Sequence, residues 1–382
     1  MTNIWFKKKS FLMLIGVLIL VIALNSCAPA ADTPTEAPDA APTDAPSGEE
    51  PPSGDSSLEG KKLGFITAGN QSEYQISQGD WFKQFAEAEG AEVTVIDGKF
   101  EPAPQVAGMD DLIAAGVDGI VIQPVDAVAL APSVQAAREE GILVMFVGGL
   151  PDPTSPVPAG GVFNDEELVR EAAREAVAWL KENKPGENAK LVLFDIPSII
   201  VCHEWRMVAF RDEVIKQMGA ENVEDVYYDL VDHSLDVVVA KMEDIIQSGV
   251  DFNIFSACGG TGAVGGMQAL EAAGLTNAVN KVPEDVWVLS IDATPAELEY
   301  LLDQNSSLVK TIALTPKNNA KIFLDNYKKI MNGDIDPDSD YVAPAPGFFV
   351  PSESCDAARE AISDQYANVP GYWTLDCSQF DE

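Results

Sequence analysis

The stretch DFNIFSACGGTGAVGGMQALEAAGL, residues 251–275, decides what kind of α/β protein this chain is. An apolar strand, a glycine-rich turn and a helix follow one another, and the turn holds GxGxxG at Gly260, Gly262 and Gly265. Glycines let a backbone approach a pyrophosphate, and a helix N-terminus offers free N–H groups to an anion, so one reading is a dinucleotide site. Asp292 closes the next strand, DVWVLSID, as the acid that would contact a ribose, although it lies beyond the usual spacing of about 20 residues. The other reading is a later strand and helix of a longer array, with the turn facing a cleft.

Outward from this stretch the pattern repeats. The chain alternates from KLGFIT (62–67) through QGDWFKQFAEAEG, EVTVID, QVAGMDDLIAAG, GIVIQP and ALAPSVQAAREEG to ILVMFVG (142–148). It starts again with LVREAAREAVAWLKENK, AKLVLFDIP, WRMVAFRDEVIKQMG, VEDVYYDLV and LDVVVAKMEDIIQSG, and ends the series with DVWVLSID and SLVKTIAL (307–314). Continuous apolar strands separated by amphipathic helices require a parallel sheet covered on both faces. Two such series predict an α/β protein of two doubly wound parallel-sheet lobes, with a cleft between the carboxyl ends of their strands. A dinucleotide fold places its glycine turn after the first strand, whereas this one follows a later strand of the second lobe.

The N-terminus carries three lysines in MTNIWFKKK ahead of an apolar run from Phe11 to Leu24. As a helix that run spans roughly 21 Å, short of a hydrocarbon core of about 30 Å, which marks a secretory signal over residues 1–26. LNSC, ending in Cys27, resembles a bacterial lipobox and predicts acylation of Cys27, anchoring the chain at the outer face of the membrane. Residues 27–57 are rich in Pro, Ala, Thr, Ser, Gly and acidic residues, with no Lys, Arg or aromatic, and read as an extended tether. The formal charge of −37, from 24 basic and 61 acidic side chains, argues against nucleic acid or anionic lipid as a partner.

Four cysteines remain, Cys202, Cys258, Cys355 and Cys377, which as disulfides allow three pairings. The favoured set joins Cys355 to Cys377 across a short C-terminal segment and Cys202 to Cys258 between two strand-to-helix loops; buried free thiols are the alternative. No zinc spacing, phosphate loop, GxSxG elbow, HExxH or nucleophile with a matched base is present, so no metal, cofactor or catalytic residue is expected. The chain reads as a binder.

Four segments carry a resemblance to type I solute-binding proteins of ABC importers, of the ribose/galactose class. GVDGIVIQPVDAVALAPSVQAAREEGI (116–142) resembles the first lobe's third strand and following helix, and RMVAF (206–210) resembles an RxxGF segment. VLSIDATP (288–295) and TIALTP (311–316) resemble GxDxTP and TxxQxP. The resemblance covers residue 61 to about 350. It implies lobes of 61–163 with about 315–340, and 164–314 with about 341–382, crossed near Asn164, Leu314 and Tyr341. It further implies a monomer that captures a small polar solute, a sugar or sugar derivative, by hinge closure for a membrane permease.

By this resemblance Tyr74 offers a ring to stack on a sugar, Arg206 a fork of hydrogen-bond donors and Asp292 an acceptor for hydroxyls. His233 falls near an aromatic rim position, and Trp205 either walls the cleft or packs. Gly148, Gly149, Gly259 and Leu314 stand where the family carries polar ligand contacts, which predicts a larger or less hydroxylated ligand, a modified sugar or a nucleoside. Three alternatives stay open: a sensor whose closed form docks on a receptor, an exported enzyme using the glycine turn as an anion site with Arg206 and Asp292 in catalytic roles, and a binder of a nucleoside or phosphorylated ligand at that turn. The C-terminal segment beyond Val350 lies outside the resemblance and is expected to cap the second lobe.

Overall fold

Strands that are apolar along their whole length need cover on both faces, and the helices between them supply it. The computed structural model describes residues 58–152, 154–230, 234–368 and 377–380. The signal segment, the tether with Cys27, and His233 lie outside these residues. The first series runs β1 (Lys62–Ile66), α1 (Glu73–Ala88), β2 (Glu92–Ile96), α2 (Pro102–Ala115), β3 (Gly119–Ile122), α3 (Ala127–Glu139), β4 (Leu143–Gly148) and β5 (Ala159–Phe163). The second runs α4 (Glu166–Asn183), β6 (Ala189–Asp195), a π-helical turn (Val201–Val208), α5 (Ala209–Met218), β7 (Val223–Asp229), α6 (Leu235–Ser248), β8 (Ile254–Ala257) and α7 (Gly260–Ala272). A short ribbon of β9 (Ala278–Val279) and β10 (Val282–Pro283) follows, then β11 (Trp287–Asp292), α8 (Pro295–Leu302) and β12 (Leu308–Ala313). The chain ends with α9 (Pro316–Met331), β13 (Val342–Ala345), β14 (Phe348–Phe349) and α10 (Cys355–Ile362).

Two six-stranded sheets result, ordered β13-β5-β4-β3-β1-β2 and β14-β12-β11-β8-β6-β7. All pairs are parallel except β12 with β14. Each order reverses after its first strand, between β1 and β3 in one sheet and between β6 and β8 in the other. Such reversals open a crevice outside the strands' carboxyl ends, where α/β sheets take ligands. Buried cores lie on both faces of each sheet: Phe65, Phe82 and Phe323 on one side of the first, Ile120, Phe146 and Val162 on the other.

The chain leaves the first sheet after β5 and returns after β12 to place α9 against α1. The passage expected near Tyr341 falls later. Residues Val342–Ala345 still pair with β5, and the change of sheet comes between β13 and β14. Gly347 lies at that point, where a Cβ would come within a tight 3.1 Å of the Ala313 carbonyl oxygen. The two disulfides join Cys202 to Cys258 and Cys355 to Cys377.

The C-terminal segment does more than cap the second lobe. α10 buries Cys355, Ala358 and Ile362 in that lobe's core, but the residues after it reach α1 and α9. The Gln365 carbonyl accepts from Ser77 Oγ at 2.9 Å and Trp81 Nε1 at 2.7 Å, and Lys317 pairs with Asp364 at 3.0 Å. Among the described residues no helix is long and apolar enough to cross a membrane.

Candidate ligand-binding cleft

One cavity lies where the carboxyl ends of both sheets converge, with about 780 Å³ of empty space including its open mouth. The first sheet presents Gln123 after β3, Gly148 ending β4 and Phe163 ending β5; the start of α1 adds Tyr74 and Gln75. The second presents Phe194 in β6, Asp292 ending β11 and Leu314 after β12. The π-helical turn adds Cys202 and Arg206, and the β8–α7 turn adds residues 257–262.

Arg206 is buried, and the protein uses most of its fork. Nε donates to Asp165 Oδ2 at 2.7 Å and Nη1 to the Cys258 carbonyl at 2.6 Å, while the guanidinium carbon sits 5.6 Å from the Phe163 ring centroid. Among the described residues Nη2 alone has no partner, so the full fork expected for a ligand narrows to one arm. The π-helical turn sets this arrangement: extra-wide turns of this kind recur at functional sites. The Cys202–Cys258 disulfide ties that turn to the carbonyl that Arg206 grips. Asp165 was not legible as its partner, since an aspartate just ahead of α4 reads as a helix cap, yet its side chain makes no cap bond.

Asp292 has a φ of +119° and Ala293 one of +55°, a backbone that L residues adopt only when their surroundings hold them. Its Oδ2 accepts the Gly260 N–H at 3.0 Å, and its carbonyl accepts the Tyr366 hydroxyl at 3.1 Å. Burial pushes its carboxyl up to about 6, opposed by the positive charge of Arg206 and the Gly260 donor. Beneath it, burial and then the charge of Asp292 push Glu297 up to about 8. That rise is opposed by donors from Ser290, Thr311, Ala293 and Thr294.

These carboxyls explain the glycine turn. A Cβ on Gly260 would lie 2.2 Å from Glu297 Oε2, and one on Gly259 3.1 Å from Asp292 Oδ2. Gly265 meets Val238 of α6 in the same way, at 2.6 Å. The fingerprint therefore packs α7 against two buried carboxyls and a neighbouring helix. The first N–H of α7 is spent on Asp292, whose own negative charge disfavours a phosphate there.

Tyr74 forms part of the wall rather than an open stacking platform. Its hydroxyl accepts from Asn319 Nδ2 at 2.8 Å and Gln78 Nε2 at 2.6 Å, and its ring stands edge-on to Phe163 with centroids 6.0 Å apart. Burial raises its hydroxyl far above the usual tyrosine range. Trp205 does not line the cavity; it packs against core residues of both lobes. Gly149 sits beside a second, smaller cavity, while Gly148, Gly259 and Leu314 line the main one.

Sequence reasoning missed Gln75 and Gln123. Both are buried at the cavity wall, and their Oε1 atoms have no partner among the described residues. A glutamine at the carboxyl end of a strand, as in GIVIQP, was the available signal for Gln123. Gln105 holds that strand end by bonding the carbonyls of Thr67 and Gln123 and the Val125 N–H. Among the described residues no group of His, Cys, Asp or Glu is arranged to hold a metal ion.

The model for a periplasmic binding protein domain matches residues 63–335. No curated protein sequence matches the chain. Solved structures that share the fold include an ABC transporter solute-binding protein from Agrobacterium vitis with bound allitol. It is 17% identical with TM-score 0.65, covering 80% of this chain and 100% of that one. One from Mycobacterium smegmatis with bound glycerol is 23% identical with TM-score 0.64, covering 78% and 96%. A Caulobacter myo-inositol binding protein bound to myo-inositol is 17% identical with TM-score 0.63, covering 76% and 93%.

Proposed function

Because the chain belongs to the periplasmic binding protein family, whose members bind solutes rather than transform them, we propose that it is the substrate-binding protein of an ABC importer. It captures a small polar solute, a sugar, polyol or sugar derivative, in the inter-lobe cleft and delivers it to a membrane permease. The observation that carries this reading is the set of three buried polar atoms without partners among the described residues, Gln75 Oε1, Gln123 Oε1 and Arg206 Nη2, on one cavity. Other buried polar atoms, such as Gln78 Oε1, Ser256 Oγ and the Tyr327 hydroxyl, also lack partners among the described residues, but only these three line the cavity, which supports a ligand that both donates and accepts. Asp292 adds a fourth polar contact. The allitol, glycerol and myo-inositol in the related structures have that chemistry.

The chain works as a monomer outside the cytoplasm, held to the membrane by lipid on Cys27 through the tether of residues 27–57. The two disulfides accord with an oxidising compartment.

Thermal unfolding against sugars, polyols, nucleosides and sugar phosphates tests the reading. A ligand at 1,000 times its Kd adds about 4 kcal/mol and raises Tm by several degrees. A neutral sugar or polyol should do so, and Arg206→Ala should abolish the shift. If only phosphorylated compounds act, the cleft assignment is wrong. Labelling of cells with radioactive palmitate should mark the protein, and Cys27→Ser should remove the mark.

A further inference from the structure

The charged groups of the cavity, Arg206 and Asp292, lie together at a polar end. Phe163 marks the polar end: Arg206 and Tyr74 lie against its ring, and a Cβ on Gly148 would lie 2.9 Å from Phe163 and 3.0 Å from Gln123 Nε2. The segment that follows β6 and enters the π-helical turn supplies the rest, with Ile196, Ile199 and Val201 lining the cavity beside Leu230. The smaller cavity shares three wall residues with the main one, Pro124, Ile199 and Val201. Its other walls include Ala127, Leu150, Ser198 and Ile200, which is 46% exposed, so a groove of mostly apolar side chains, with one serine, adjoins the main cavity and reaches the surface. Sugar hydroxyls placed along that groove would lose water and find Ser198 as the one polar side chain among the described residues of its wall.

We propose that the solute is a glycoside: a hydroxylated head seated at Arg206, Asp292, Gln75 and Gln123, with an alkyl or aryl limb lying in the groove beside Ile199 and Leu150. This rests on the solute-capture reading above and narrows it. The groove adjoins the ligand cavity at Pro124, Ile199 and Val201, and its side chains other than Ser198 offer a limb apolar contact. Each methylene buried there tightens binding by about fourfold.

Calorimetric titration of the purified protein with free glucose and ribose and with their methyl, butyl and phenyl glycosides tests the proposal; uridine and adenosine complete the panel. Butyl and phenyl glycosides should bind at least tenfold more tightly than the methyl glycoside of the same sugar. Ile199→Asp should bring the butyl-to-methyl ratio close to one. Equal affinity for a free sugar and all its glycosides would overturn the limb and leave solute capture standing. Binding of the nucleosides alone would also overturn it, assigning the groove to a base. If neither sugars nor glycosides bind, the reading beneath it fails as well.

Discussion

The first lobe brings amides and rings to the cleft: Gln75, Gln123, Tyr74 and Phe163. The second brings the ionisable groups, Arg206 and Asp292, with the disulfide that braces them. Both sheets follow the same strand order, so topology does not cause this division. It comes from what holds each group. Arg206 is fixed by Asp165 and the Cys258 carbonyl, and Asp292 by the Gly260 N–H, all from residues after the first passage between lobes. The charged half of the site is therefore set within one lobe, in the manner of a preorganised receptor, and the neutral half completes it. Damage to the second lobe should cost stability and binding together, whereas damage to the first should cost binding alone.

The largest effect should follow Arg206→Ala. It strands the fully buried Asp165 carboxylate, and breaking such a pair costs about 3–5 kcal/mol. Denaturant unfolding should show that loss, and ligand titration should show no binding. Replacing Cys202 and Cys258 together by serine removes a cross-link over 56 residues and should cost about 2–4 kcal/mol in the same assay.

Next comes pH. Asp292 and Glu297 are raised to about 6 and about 8 from ordinary values of 3.8 and 4.5, so the folded chain holds protons that the unfolded chain has released. Stability should fall as pH rises from about 4 to about 8. Urea midpoints across that range should slope downward, and Glu297→Gln should flatten the slope above pH 6.

In the first lobe, Gln123→Ala should weaken ligand binding about tenfold, the worth of one hydrogen bond, and leave the urea midpoint of the free protein almost unmoved. A matching loss of stability would erase the contrast between the lobes. Smallest of all, Tyr366→Phe removes one hydrogen bond to the Asp292 carbonyl and should cost about 1 kcal/mol. A weaker ligand affinity in that variant would show that the tail helps to pose Asp292.

Much of this was readable from the chain. Uninterrupted apolar strands such as GIVIQP and AKLVLFDIP between amphipathic helices specify two covered parallel sheets, and strand ends such as Asp292 mark the cleft. Arg206 was legible through RMVAF, although the sequence does not show that Asp165 and Cys258 occupy two of its nitrogens. The glycine fingerprint misled because its cause is distant: Gly260 is small on account of Glu297, which no local spacing indicates. Gln75 and Tyr366 stayed hidden for the same reason. A glutamine in the first turn of α1 looks solvated, and a tyrosine beyond α10 gives no sign that it reaches the carbonyl of Asp292.

The most direct test of the central claim is amide hydrogen exchange on the protein with and without a saturating sugar or glycoside. Slowed exchange should appear together in the start of α1, the end of β3, the π-helical turn and the β8–α7 turn, because the ligand joins both lobes. Protection confined to one lobe, or to sites away from the cleft, would contradict the account.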